Sequence, residues 1–246
     1  MAQVIYSKEG NNYYADFDNR KKVLWKERWI NQDLKAKKGQ IITMNIDGTN
    51  KQYRVLKVLD ENVVEVIGIQ DLTTMGFGSD VTYENSRLDT YLNATYYNTL
   101  IDIAKAAIID KTFKQDTWSL NGTGNPHYRG ASSGTGYTVA LRNSYGNEIT
   151  RHIYALSVQD VIDYLEVTTN MTYQDTTLNP TNILKAFWNT DIGEEDKAFW
   201  LNSKEPSFST TITTVKRTGE ISANTSSYLY QVKAAFQIDL SKIKWK

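Results

Sequence analysis

From Gly39 onward apolar and polar residues alternate with a period of two. Ile42, Met44 and Ile46 share a face, Asp47-Gly48-Thr49-Asn50 supplies turn residues, and Tyr53 to Leu59 is a second β-rich run. Asp60-Glu61-Asn62 then turns the chain into Val63 to Ile69, so the pattern predicts a three-stranded antiparallel meander. Beyond it the period becomes helical. Leu88, Tyr91, Leu92, Thr95 and Tyr96 fall on one face, and Ser86 stands three residues before Asp89 as a capping pair, which predicts a helix to about Leu100. Ile101 to Asp110 either prolongs that helix or breaks into a second short one, and Ala107-Ile108-Ile109 equally suits the start of a strand. Ser157 with Asp160 opens a further helix with Val161, Tyr164 and Leu165 inward, and Asn179-Pro180 opens another through Ile183, Leu184, Phe187 and Trp188. Phe199-Trp200-Leu201, Thr210 to Lys216, a turn at Thr218-Gly219-Glu220 and Tyr228 to Leu240 predict a closing antiparallel hairpin and edge. Strands, then helices, then strands again imply an α+β fold.

Two stretches break the pattern. Residues 121–149 hold six of the chain's 14 Gly without a repeating period and are expected to be a long surface loop. Residues 1–38 mix Tyr13, Tyr14, Phe17, Trp25 and Trp29 with the basic Arg20, Lys21, Lys22, Lys26 and Arg28, and no clean helical stripe emerges. They form either a strand and short helix packed on the domain or an arm whose aromatics bury against a partner. Charge separates the same region. The whole chain balances 28 Lys and Arg against 28 Asp and Glu, yet residues 1–60 carry 12 basic and 7 acidic side chains, a surplus of five that the remainder cancels. An attachment role for 1–38, through Trp25, Trp29, Lys21 and Lys22, is the expectation, with 39–246 as one domain.

Overall neutrality argues against a nucleic-acid or anionic-lipid surface, although the basic pairs interleaved with Trp25 and Trp29 resemble such surfaces locally. With no Cys there are no disulfides, thiolate metal sites or cysteine nucleophiles, and two His leave little for a histidine-rich metal site. No cofactor is expected. Gly122-Thr123-Gly124 and Gly134-Thr135-Gly136 lack the spacing of a phosphate loop, and a catalytic triad through His127 or His152 would have to be assembled from distant parts of the chain. Glu194, Glu195, Asp196, Asp163 and Glu166 are read as solvated faces. The opening residues contain no apolar run of signal-peptide length and no stretch reaches the roughly 20 apolar residues of a membrane span, so use without Sec export is expected.

The order of motifs carries a resemblance. The Gly39 to Ile69 meander, Tyr83-Glu84-Asn85-Ser86-Arg87-Leu88-Asp89-Thr90-Tyr91-Leu92-Asn93, Tyr154-Ala155-Leu156-Ser157, Phe199-Trp200-Leu201-Asn202-Ser203 and Ala235-Phe236-Gln237-Ile238-Asp239-Leu240-Ser241 together resemble a bacterial and phage domain family of unknown function. That family is similar to the C-type-lectin-like and formylglycine-generating-enzyme-like folds. The chain departs from it at Asn202, where the family often has Arg, and at Val232-Lys233-Ala234-Ala235-Phe236, where it often has a Val-Arg-Pro-Ala-Phe run. Sulfatase-activating chemistry needs cysteines and does not carry over. Glu205-Pro206-Ser207 differs in its third residue from the Glu-Pro-Asn of calcium-dependent lectins.

The resemblance implies small twisted antiparallel sheets, two main helices and long loops that vary at little cost to the core. Similar domains occur in phage tail, fibre and virion surface proteins. The expected function is therefore non-enzymatic: a virion structural protein, assembled in the host cytoplasm as a homo-oligomer, that displays loops 121–149 and 204–230 for host-surface or protein binding. Trp118, His127, Tyr128, Arg129, Tyr137, Asn224 and Tyr228 are the candidate contacts, as rings that stack on sugars and amides that bond their hydroxyls. A bacterial glycan- or protein-binding module outside a virion, and an enzyme acting on polysaccharide through carboxylates, are the alternatives.

Overall fold

The Ile42–Ile46 alternation forms β4 (Ile41–Asn45), which pairs antiparallel with β5 (Asn50–Val58), itself paired with β6 (Val63–Gly68). The meander thus stands as expected. Gly48 takes φ 90° at its first turn, where its N–H donates to Asn45 Oδ1 at 2.9 Å. The structure is a computed structural model describing residues 4–9, 12–17, 22–25, 35–121, 138–165, 185–190, 197–204, 210–217 and 221–246, with side chains outside 4–25, 118–121 and 138–145. In the first three of these segments β1 (Val4–Glu9), β2 (Asn12–Phe17) and β3 (Lys22–Trp25) make a three-stranded antiparallel sheet, more strand than the amino-terminal pattern predicts.

Five strands complete the meander's sheet in the order β4-β5-β6-β15-β8, with β8 at Ile108–Ile109 and β15 at Ala235–Asp239. The expected carboxy-terminal edge is a correction, because β15 lies inside the sheet between β6 and β8. Its residues explain the placement: Ala235, Phe236 and Ile238 are fully buried, so neither face suits an edge. The chain end returns to β4, where the Lys246 N–H donates to the Thr43 carbonyl at 3.1 Å and Trp245 is buried.

One face of this sheet packs Val64, Val66 and Phe236 against Leu88, Leu92 and Tyr96. The helix carrying them begins as α1 (Arg87–Thr90), widens to π geometry over Tyr91–Tyr96 and tightens over Tyr97–Thr99. That widening rotates Thr95 out to solvent, away from the expected stripe. Leu100 is extended, and α2 (Asp102–Ala107) follows before β8, so the second helix and the strand both form. The opposite face sets Ile67 and Ala235 with Leu156, Val161, Phe187 and Phe199. Here α3 (Val158–Leu165) starts at a reciprocal cap, Asp160 N–H to Ser157 Oγ at 3.0 Å and Ser157 N–H to Asp160 Oδ2 at 2.9 Å. Of the helix expected after Pro180, residues 185–187 are described and are helical.

The third sheet is seven-stranded and mixed. β9 (Lys111–Asn121) pairs antiparallel with β10 (Thr138–Arg151) and parallel with β11 (Ala198–Lys204), which continues to β12 (Thr211–Lys216) and β13 (Ile221–Thr225). β14 (Tyr230–Val232) joins β11 to β7 (Thr73–Met75). β10 corrects the expected 121–149 loop: residues 138–149 are strand, bulged between Arg142 and Glu148, with Gly146 at φ 74° in the irregularity. Residues 211–216 and 221–225 likewise correct a 204–230 loop. The molecule is α+β with sheets dominant. Among the described residues no helix is long and apolar enough to cross a membrane.

Candidate functional site

The segment leaving β7 does not return to a sheet. Trp200 Nε1 holds the Met75 carbonyl at 2.7 Å, and the next residue, Gly76, passes so close to the Ser226-Ser227 turn that a Cβ would lie 3.3 Å from the Ser227 carbonyl oxygen. Glycine permits the Phe77 N–H to reach the Ser226 carbonyl at 2.8 Å. Asp80 then folds the chain by accepting the Val81 N–H and, at 3.0 Å, the Thr82 N–H on one carboxylate oxygen. The Thr82 N–H, first among several donors, holds the Asp80 carboxyl below the ordinary carboxylate range. Gln115 secures the floor beneath, donating to the Val81 and Asn202 carbonyls at 2.8 and 2.7 Å and accepting the Tyr83 N–H at 2.8 Å.

At Asn85, in the left-handed region with φ 63°, the chain enters α1. Ser86 Oγ accepts the Asp89 N–H at 3.0 Å and Asp89 Oδ2 accepts the Asn85 N–H at 3.0 Å, a reciprocal cap. Asp89 also receives both arms of Arg151 at 2.7 Å each, which raises the Arg151 pKa further. Asn93 donates to the Ile153 carbonyl at 2.7 Å and accepts the Ile153 N–H at 3.2 Å. The Ser86-to-Asn93 block on which the resemblance rests therefore spends its key polar groups on the frame.

Between the Gly76–Arg87 segment and the Ser226-Ser227 turn lies a cavity of about 710 Å³. Its segment side presents Asp80, Thr82, Glu84, Ser86 and Arg87, and its turn side Ser226 and Ser227. Hydroxyls, two carboxylates and a guanidinium suit a ligand rich in hydrogen-bonding groups.

A family model described as a domain of unknown function (DUF6273) matches residues 54–240. The chain belongs to the DUF6273 family. The DUF6273 match begins within β5, so β4, which pairs with β5, and Trp245, which bridges to Met44, lie outside it. No curated protein and no solved structure matches the chain.

Of the expected contacts, Tyr228 is 57% exposed and adjoins Ser227 at the cavity rim. Asn224 is held within the sheet, its Nδ2 donating to Thr214 Oγ1 at 2.7 Å and its Oδ1 accepting Tyr230 OH at 2.9 Å, so it is not a free binding group. Trp118 lies on β9 opposite Leu141, on a strand and not a loop. His127, Tyr128, Arg129 and Tyr137 fall outside the described residues, as do Lys21 and Trp29 of the attachment set. Lys22 and Trp25 sit on β3, opposite Asp16 and Tyr13.

Sequence reasoning passed over Asp80 and Ser226. The polar run Gly78-Ser79-Asp80 between a strand and a capped helix was the available signal, with Asp80 two residues before Thr82 as an Asx-turn pattern. Two other polar clusters are structural. Lys111 bridges Glu65 at 2.7 Å and Asp160 at 3.3 Å beneath Tyr154, and Asp116, whose pKa burial raises, is bonded by the Ser203 hydroxyl. His152 pairs with Asp110 and stacks on Tyr97 with ring centres 4.2 Å apart. Among the described residues no group of three or more acidic or histidine side chains is placed to hold a metal ion.

Proposed function

We propose that this chain is a non-enzymatic binding module of a phage or prophage virion, a tail, fibre or surface-decoration protein with a C-type-lectin-like domain over 39–246. In this reading 1–38 attaches to other virion proteins through Trp25, Trp29, Lys21 and Lys22, and the domain presents the Gly76–Arg87 cavity to the host surface. Assembly is in the host cytoplasm and as a homo-oligomer, since virion parts repeat by symmetry.

The observation that carries this reading is the division of labour among polar groups. Asp89, Arg151, Asn93 and Gln115 are consumed in holding the frame, whereas Asp80, Glu84, Arg87 and Ser226 border an open cavity. Asp80 is not set up as a general acid. A general acid needs a raised pKa, and the donors around Asp80 push its pKa the other way.

Purified particles and isolated host envelopes test both halves. The full chain is expected to co-sediment with envelopes and leave their polysaccharide uncut, and deletion of 1–38 is expected to abolish incorporation into particles while envelope binding persists. Incorporation without 1–38 would overturn the attachment role, and cleavage of envelope polysaccharide would overturn the non-enzymatic reading.

A further inference from the structure

Two serines at the cavity are more than nine-tenths buried, Ser226 at 5% exposure and Ser86 at 7%. Ser226 is engaged through its backbone, donating its N–H to the Thr210 carbonyl and accepting from Phe77 and Gly78, while its hydroxyl has no partner among the described residues. Ser86 Oγ accepts the Asp89 N–H, which leaves its own O–H to donate. A ligand hydroxyl can take the place of cavity solvent at both hydroxyls.

The charged groups are similarly half-used. Asp80 commits one oxygen to its turn, and among the described residues Glu84 accepts only the Asn147 amide, at 3.4 Å, on Oε2. Among the described residues the second oxygen of each, and the guanidinium of Arg87, bond nothing in the chain. Two carboxylates repel an acidic ligand, while Arg87, with Lys204 close enough for its field to reach Asp80, opposes a cationic one. The anion-favouring N-terminus of α1 is already occupied by Asp89. Tyr228, next in the chain to the cavity-lining Ser227, adds an exposed ring.

We propose that this cavity binds an uncharged hexose oligosaccharide, with sugar hydroxyls donating to Asp80 and Glu84, accepting from Ser86, Ser226 and Arg87, and one sugar face lying on Tyr228. The proposal rests on the binding-module reading and names its ligand class. Free acceptor oxygens on two carboxylates suit paired ring hydroxyls, which are both donors and acceptors.

The test is calorimetric titration of the full chain with three sets of defined oligosaccharides: uncharged hexose chains, oligogalacturonate, and amine-bearing glucosamine chains. At least one uncharged chain is expected to bind, and the other two sets to bind at least tenfold more weakly. Asp80→Asn keeps the turn acceptor and Glu84→Gln keeps the shape, so both fold, which an unchanged melting temperature verifies. Each is expected to weaken binding by about ten- to a hundredfold, the range for losing a hydrogen bond to a charged group. Ser226→Ala is expected to weaken it by about tenfold. Tightest binding by the acidic or amine-bearing set, or affinity that none of the three substitutions changes, would overturn the proposal. If envelopes bind while no oligosaccharide does, this ligand assignment falls and the binding-module reading stands; if envelopes do not bind either, both fall.

Discussion

Asp89 is the residue on which the frame most visibly depends. Its side chain is 4% exposed and answers Arg151 through both oxygens, Asn85 through its N–H and Asn93 through its amide. Removing one member of such a set strands the others without partners, so Asp89→Ala is expected to cost about 3 kcal/mol in denaturant unfolding. Restricting the loss to under about 1 kcal/mol would show that these bonds add little to the fold. Lys233 presents the opposite situation. It is fully buried beside Asp71 at 2.9 Å, donates to the Ile69 carbonyl at 2.7 Å and lies 5.1 Å from the Trp188 ring. Burial pushes its pKa down to about 8 against the attraction of Asp71. The unfolded chain then holds more protons than the folded one between about pH 8 and the ordinary lysine value near 10.4, and stability gains with rising pH across that window. Several buried tyrosines have raised pKa values and act oppositely at high pH, so the comparison is with Lys233→Met. Wild type is expected to gain on the variant from pH 8 to 10; parallel curves would show that the ammonium is not penalised by burial.

At the scale of elements, local chemistry and distant pairing part company. The caps at Ser86/Asp89 and Ser157/Asp160 and the turn at Gly48 were legible because each is satisfied within a few residues of itself. Ser86→Ala is expected to destabilise by about 1 kcal/mol through loss of the cap, measured by thermal unfolding, and an unchanged midpoint would place the helix start under the control of packing alone. β10 was illegible because Gly, Ser and Asn dominate the run ahead of it, while its pairing partner β9 lies before that run. The interior place of β15 depends on β6 and β8, strands more than 100 residues earlier, which no local period can reveal. The cavity was hidden for the same reason, since Ser86 and Ser226 meet across the fold and not along the chain. Tyr228 was recognisable because an aromatic ring in a polar turn needs no distant partner to be exposed.

For the whole molecule, closure of the central sheet by its own end is the organising event. Trp245 and Ile243 are buried, and Lys246 bonds Thr43 in both directions. Trp245→Ala is expected to lose about 3 kcal/mol, and loss of the six residues after Leu240 to lose more, with unfolding still a single transition. A separate early transition would instead mean that β4 and the chain end form a unit of their own. The two apolar layers flank one sheet, so the Gly76–Arg87 segment is braced from below by Gln115 and from behind by Trp200. Such a cavity is preorganised, and its ligand is expected to leave the frame unmoved. Backbone amide NMR of the full chain, titrated with solubilised host-envelope polysaccharide, tests this most directly. Shifts confined to Gly76–Arg87 and Ser226–Leu229, with the polysaccharide recovered intact, are the predicted result. Shifts spread through β4, β5, β6 and β15, or a ligand returned in fragments, would contradict it.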